Sequence, residues 1–242
     1  MHNEGSTAKH NSKITKLLRT EEYVPVPIEK IFEVEFEGSN AKKERQEKIR
    51  QKYEAQLKEI IKRTYRKLNI PNNILDKNLQ DKRDIIKKIP EYRIFVEVAR
   101  SFNEIEGIKI GIPTNNLQLY TAVEENVYSC YPGSVLLSDA LYRMGKEVTA
   151  VIAKGHMFLA SQRYAFETNY EPTSSFILRD SGYIERWFEH PIEISLDKTL
   201  IATLLNKGGE MVSKNNDYAS AVIAFDNARS FYSKSPFIIS FN

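Results

Sequence analysis

The chain has 242 residues, of which 41% are hydrophobic and 28% charged, a composition typical of a folded protein with one large or two small domains. This apolar content excludes a wholly disordered chain, and no stretch approaches the run of about 18 uncharged apolar residues that a membrane span needs. The net charge is only +3, and a single cysteine excludes an intramolecular disulfide or a cysteine-based zinc site. Because residues 1–10 contain no signal-like apolar run, we expect a cytoplasmic protein.

The N-terminal residues predict an arm followed by a strand. Residues 1–20 are polar and show no sustained apolar period, which indicates a flexible arm. Pro25 and Pro27 require extended backbone in the next segment. Ile31 to Phe36 then alternate apolar and acidic residues, so we expect a half-buried strand there.

Residues 41–68 carry the strongest helical pattern of the chain. Either Ser39 or Asn40 can cap this helix, and Asn69 together with Pro71 is expected to end it. Its apolar residues recur at steps of three and four and predict one buried stripe, formed by Ile49, Tyr53, Leu57, Ile60, Ile61, Tyr65 and Leu68.

The same segment is strongly basic. Residues 41–70 contain eleven lysines and arginines against four glutamates, and the rest of the chain is net acidic. Two interpretations are open: a solvated helix face that docks on the domain or pairs as a coiled coil, and a surface that contacts a phosphate backbone. The interspersed glutamates and the lack of a nucleic-acid-binding motif favour the first interpretation, so we expect no nucleic-acid partner.

Two further helices and a short apolar run are expected next. A short basic helix should end near Lys88, and Pro90 predicts the start of a helix that continues through Phe102 and stops at Gly107. Ile108 to Ile112 is a short apolar run before a loop rich in threonine and asparagine.

The lone cysteine precedes a helical pattern. The residues after Cys130 predict a helix with a buried apolar face, formed by Val135, Leu136, Leu137, Ala140, Leu141 and Met144. Gly145 stands where the end of this helix needs a residue with positive φ. A thiol at the start of a helix ionises more readily, because free N–H groups and the helix dipole stabilise negative charge there. Cys130 is therefore either a buried small apolar residue or a nucleophile.

Three strands are expected after the cysteine helix. Lys146 to Ala153 predicts the first, Met157 to Ala160 the second, and Tyr164 to Asn169 the third. This order places His156 and Glu167 on adjacent antiparallel strands, where both can face the start of the cysteine helix. The histidine has no second ligand at a standard short spacing, so we expect neither a metal nor a cofactor.

Residues 110–170 resemble the transglutaminase-like superfamily of papain-like Cys-His-Asp proteins. Its members have a cysteine followed by a leucine-rich helix and a glycine, then a histidine before apolar residues, then an acid in an aromatic strand. The matching residues are Cys130, Ser134, Leu136, Leu137, Leu141, Gly145, Gly155-His156-Met157-Phe158 and Phe166-Glu167-Thr168. Three positions depart from the usual pattern: Glu167 replaces the commoner aspartate, Tyr128 a glycine, and Phe158 a frequent tryptophan.

The resemblance implies an α+β fold in which the cysteine helix packs on an antiparallel sheet. It also implies Cys130 as the nucleophile, His156 as general base and acid, and Glu167 as the group that orients the imidazole. The implied reaction is thiol acyl chemistry on a protein or peptide amide: peptide or isopeptide hydrolysis, or acyl transfer to an amine. Since the superfamily includes non-catalytic members, a protein-interaction module with the same fold is the alternative.

The C-terminal residues predict a helical hairpin. The first helix begins at Leu200 and carries two small residues, Gly208 and Gly209, where another helix could approach closely. Asn216 to Tyr218 predicts a turn, and the second helix should end at Ser235-Pro236. The second helix is expected to carry an apolar face formed by Ala221, Val222, Phe225 and Ala228.

This hairpin resembles one tetratricopeptide repeat, with an ordinary helical hairpin as the alternative. A single repeat cannot bury its apolar face alone, so the resemblance implies partner helices. Either the hairpin docks on the preceding domain, or the natural chain continues past Asn242. We thus expect four parts: an arm at 1–20, an N-terminal strand and helical region at 21–107, a transglutaminase-like core at 108–195, and the hairpin at 196–242.

Overall fold

The computed structural model describes residues 25–37, 41–110, 118–153, 156–167, 176–178, 191–215 and 217–231. The helices are α1 (Ile28–Phe36), α2 (Lys43–Lys67), α3 (Leu79–Ile86), α4 (Glu91–Asn103), α5 (Leu119–Glu125), α6 (Cys130–Arg143), α7 (Leu200–Asn215) and α8 (Tyr218–Phe231). The strands are β1 (Lys109–Ile110), β2 (Val127–Tyr128), β3 (Thr149–Ala153), β4 (His156–Ala160), β5 (Tyr164–Phe166), β6 (Phe176–Leu178) and β7 (Ile192–Ile194). The predicted arm at 1–20 and the loop before α5 lie outside the described residues, and the four-part division stays a prediction.

The fold is α+β. The larger sheet has the strand order β6-β5-β4-β3-β7, and every neighbouring pair is antiparallel. β1 and β2 pair in parallel, and β2 directly precedes the cysteine helix. Helix α6 packs on β3 and β4, where the Ser134 hydroxyl donates to the Met157 carbonyl at 3.0 Å.

The predicted strand at Ile31 to Phe36 is wrong, because this segment is part of helix α1. The buried residues of α1 are spaced by three and four, as on one side of a helix: Ile28, Ile31, Phe32, Glu35 and Phe36. The alternation that suggested a strand included Glu35, which is 4% exposed and therefore belongs to the buried side.

The long helix predicted at 41–68 is confirmed as α2, and all seven residues of its predicted stripe are buried. Its predicted cap is wrong. The N-cap residue is Lys42, whose side chain makes no capping hydrogen bond, whereas Ser39 and Asn40 lie outside the described residues. At the other end Asn69 adopts a φ of 58°, which stops the helix as expected.

The helices on either side of the cysteine also follow the prediction, except α5, which lies in a segment that was expected to be a loop. Helix α3 ends at Ile86, and α4 follows Pro90 and ends before Gly107, which has a φ of 80°. Helix α6 begins at Cys130, and Gly145 has a φ of 86° just after its end. The three strands predicted next are present as β3, β4 and β5. The last of them ends at Phe166, before the predicted end at Asn169, and residues 168–169 lie outside the described part of the chain.

The predicted C-terminal hairpin is present as α7 and α8, which pack against each other. A Cβ on Gly208 would lie 2.5 Å from Cε1 of Phe225, so this glycine marks the close approach of the two helices. Within the apolar face predicted for α8, Ala221 and Ala228 are buried, whereas Val222 is 56% exposed. The predicted end at Ser235-Pro236 lies outside the described residues.

The hairpin also packs on α1. The ammonium group of Lys207 donates to the carbonyl of Val34 at 2.7 Å and to that of Glu37 at 3.2 Å, at the end of α1. This contact satisfies carbonyl groups that a helix end leaves without partners.

Candidate active site

Cys130 is the first residue of α6, and the segment before it is anchored on α2. The Tyr128 hydroxyl donates to Gln56 at 2.5 Å, and the Gln56 amide donates to Asn126 at 2.8 Å. Asn126 itself adopts a φ of 58°, which turns the chain from α5 into β2. These contacts fix the direction in which the chain enters α6.

The sulfur of Cys130 lies at the meeting point of α6 and β4. It makes a hydrogen bond with the side chain of His156 and accepts backbone N–H groups of Tyr131 and Met157. Pro132 fits the first turn of the helix because the N–H that it lacks has no partner within the helix at that position. The thiol therefore faces an imidazole and two N–H donors.

His156 is the first residue of β4 and contacts both of the other predicted site residues. Its Nε2 lies 2.9 and 2.8 Å from the two carboxylate oxygens of Glu167. The ring of Phe158, two residues along the strand, lies 5.8 Å from the imidazole, centre to centre. Because Nε2 is engaged by the carboxylate, Nδ1 is the ring nitrogen left to serve the thiol.

Glu167 directly follows β5, the antiparallel neighbour of β4. The register pairs Leu159 with Phe166, so its continuation places Glu167 opposite Phe158 and diagonal to His156. The carboxylate is buried, with 3% of its side chain exposed against 19% for the histidine. Its ion pair with His156 is thus shielded from solvent. Opposite charges attract each other more strongly where water does not screen them.

The electrostatics of the site favour a charged pair. Burial raises the pKa of Cys130, but the hydrogen bond and charge of His156, with the two N–H donors, bring it below the ordinary thiol value. Burial lowers the pKa of His156, whereas the contacts with Cys130 and Glu167 raise it to about 9. A proton on the imidazole and a negative charge on the sulfur therefore stabilise each other.

The structure brings together all three side chains that the sequence singled out. A thiolate held beside an imidazolium can attack a carbonyl carbon, and the imidazolium can then protonate a leaving amine. The carboxylate fixes the tautomer and orientation of the ring. N–H groups beside the sulfur can stabilise an oxyanion.

Sequence reasoning missed the buried polar contacts around the neighbour of the cysteine. The hydroxyl of Tyr131 lies 3.3 Å from Oε1 of Glu35 and 2.5 Å from Oγ1 of Thr203. The position of Tyr131 beside Cys130 was the only available signal, since Glu35 and Thr203 are far away along the chain. This set of three side chains is called the Tyr131 network below.

The described residues contain no group of three His, Cys, Asp or Glu side chains that could hold a metal ion. Every helix in the described part of the chain is too short or too polar to cross a lipid bilayer. The cytoplasmic location and the lack of a cofactor stay predictions.

Five of the ten basic residues of α2 are paired with acids in the described part of the chain. Bidentate hydrogen bonds join Arg45 to Glu124, on α5, at 2.7 and 2.5 Å. Further ion pairs are Lys48–Glu44, Arg50–Glu29, Arg63–Glu59 and Lys67–Glu104. The helix packs on α4, α5 and α6, as expected for a solvated face on a docked helix. The expected lack of a nucleic-acid partner stays a prediction.

In comparisons with known proteins, no family model, no curated protein and no solved structure matches the chain.

Proposed function

We propose that this protein is a cysteine-dependent acyl enzyme with a transglutaminase-like core, acting on amide bonds of proteins or peptides. The observation that carries the proposal is the imidazole of His156, which binds the Cys130 thiol with one side and the Glu167 carboxylate with the other. The sequence resemblance to the transglutaminase-like superfamily independently supports it. The α+β fold, with the cysteine helix packed on an antiparallel sheet, is compatible with that assignment.

The reaction follows from the roles of the three groups. The thiolate of Cys130 attacks the amide carbon, and the carbonyl oxygen becomes an oxyanion beside the N–H donors at the start of α6. The imidazolium of His156 gives its proton to the nitrogen of the amide, the C–N bond breaks, and a thioester remains on the sulfur. His156 then takes a proton from water or from an amine, which attacks the thioester and releases the thiolate. Water gives hydrolysis and an amine gives acyl transfer.

The test is the pH dependence of iodoacetamide labelling. Cys130 is the only cysteine, so every label reports this thiol. We expect labelling of the wild type to persist well below the ordinary thiol pKa of about 8.5, and the profile of His156→Ala to move up to that value. Glu167→Gln should give an intermediate profile, because the imidazolium loses its carboxylate.

Ser138→Ala is the matched control. Ser138 lies about two helical turns beyond Cys130, and its hydroxyl donates to the Val135 carbonyl. The loss of this hydroxyl should therefore leave the labelling profile of Cys130 unchanged. A folded wild type that is not labelled, or is labelled only with an ordinary thiol pKa, would rule out the proposed cysteine-dependent activity.

A protein-interaction module is the second candidate, and one observation favours it. On α8 three large apolar side chains are exposed: Tyr218 at 62%, Val222 at 56% and Ile223 at 63%. Exposed apolar side chains that cluster on one helix are a common feature of docking surfaces. An inert thiol in the labelling experiment would leave this second candidate, in which the same fold serves only as a scaffold.

A further inference from the structure

Tyr131 joins the start of the cysteine helix to two other parts of the fold. Its hydroxyl contacts Thr203, on α7, and Glu35, on α1. The carboxylate of Glu35 also accepts the N–H groups of Leu119 at 2.8 Å and Tyr120 at 2.9 Å, at the start of α5. The contacts of Tyr131 and Glu35 therefore link four helices, α1, α5, α6 and α7, beside the nucleophile.

The Tyr131 network is closed to water. Tyr131 is 2% exposed, Glu35 4% and Thr203 1%. Burial, together with the negative charge of Glu35, raises the pKa of Tyr131 well above its ordinary value, so the phenol keeps its proton. With one proton available, Tyr131 donates to Glu35 and accepts from Thr203, and no partner can be exchanged for solvent without cost.

Among the described residues, no side chain caps the first turn of α6. The N-cap residue Ser129 makes no capping hydrogen bond, and its buried Oγ has no hydrogen-bond partner among the described residues. The backbone N–H of Tyr131 nevertheless donates to the sulfur of Cys130. The orientation of that N–H depends on the Tyr131 residue, whose far end is fixed by the network.

We propose that Tyr131 is a positioning residue, which aims its backbone N–H at the Cys130 sulfur because Glu35 and Thr203 hold its hydroxyl. Through Thr203, the C-terminal hairpin becomes part of the apparatus that prepares the nucleophile. This inference rests on the proposed function, in which the thiolate of Cys130 is the reacting group. It adds residues from α1 and α7 to a site otherwise built from α6, β4 and Glu167.

The experiment measures the thiol pKa from iodoacetamide labelling in Tyr131→Phe and Thr203→Val. Since a hydrogen bond to a charged group is among the stronger ones, its loosening should raise the thiol pKa by about one unit. At a pH below the thiol pKa of both proteins, the labelling rate should then fall roughly tenfold. Thr203→Ser keeps the hydroxyl and should restore the wild-type profile.

Two matched controls separate positioning from loss of stability. Tyr53→Phe removes another buried phenol, which donates to Asp139 at 2.9 Å, and Thr199→Val removes a buried hydroxyl that donates to Leu196 at 2.7 Å. Both should lower the midpoint of urea unfolding while leaving the thiol profile unchanged. If Tyr131→Phe fails to fold, the comparison of Thr203→Val with Thr203→Ser decides.

The outcomes distinguish this inference from the proposed function. An ordinary thiol pKa in the wild type overturns both. A low thiol pKa in the wild type that stays unchanged in folded Tyr131→Phe and Thr203→Val overturns only the positioning role. A low value that rises in both variants and returns in Thr203→Ser supports it.

Discussion

His156 is the residue whose protonation connects the site to pH. Burial alone would lower its pKa, yet Cys130 and Glu167 raise it to about 9, so the ring stays charged through neutral pH. The raised pKa stabilises the folded state fully below the ordinary value of 6.5. That contribution is lost as the pH rises through about 9.

This linkage predicts the behaviour of Glu167→Gln. NMR titration of the His156 ring should give a pKa near 9 in the wild type and a lower value in the variant, because the carboxylate no longer stabilises the charged form. The advantage of the wild type in free energy of unfolding should therefore shrink as the pH rises from 6.5 to 9. Identical His156 titrations in the two proteins would contradict the ion pair.

Gly145 provides a second prediction for a single residue, with Gly107 as its control. Both have positive φ, so an alanine at either position should cost about 1–2 kcal/mol. A Cβ on Gly145 would also lie 2.7 Å from the backbone nitrogen of Arg83, whereas the nearest atom to one on Gly107 is at 3.7 Å. Gly145→Ala should cost about 1–3 kcal/mol more, measured by urea unfolding. Equal losses would show that α3 moves aside freely.

At the scale of elements, local pattern predicted most helices, because their apolar residues repeat over several turns. Helix α2 is the clearest case, since its whole predicted stripe is buried. Helix α1 could not be identified in this way. Its buried glutamate is satisfied by N–H groups of Leu119 and Tyr120, more than eighty residues away, and no local pattern contains that contact.

The contact between α7 and α8 predicts opposite effects for two adjacent glycines. Gly209 has open space around it, so Gly209→Ala should stabilise the protein by about 0.5–1 kcal/mol, as expected for alanine in a helix. A Cβ on Gly208 would overlap the ring of Phe225. Gly208→Ala should therefore leave the stability of the protein unchanged or lower it. Thermal unfolding of the two variants is the measurement. A gain of equal size at both positions would mean that the helices are not in close contact.

At the scale of the whole molecule, the site joins segments that are far apart along the chain. The order of cysteine helix and strands was enough to predict that His156 and Glu167 meet, because adjacent antiparallel strands place their side chains together. The Tyr131 network was not predictable, since its contacts span 96 residues to Glu35 and 72 to Thr203. Such contacts arise only when α1 and α7 pack around the core.

The order of these elements along the chain has a consequence for synthesis. His156, which contacts the sulfur, and Glu167, which contacts His156, both follow Cys130 in the sequence. While the ribosome is still making the cysteine helix, the thiol of the nascent chain is an ordinary one. Under the proposed function, the thiol becomes reactive only when the later strands have emerged and paired, so an unfinished polypeptide is not exposed to its own nucleophile.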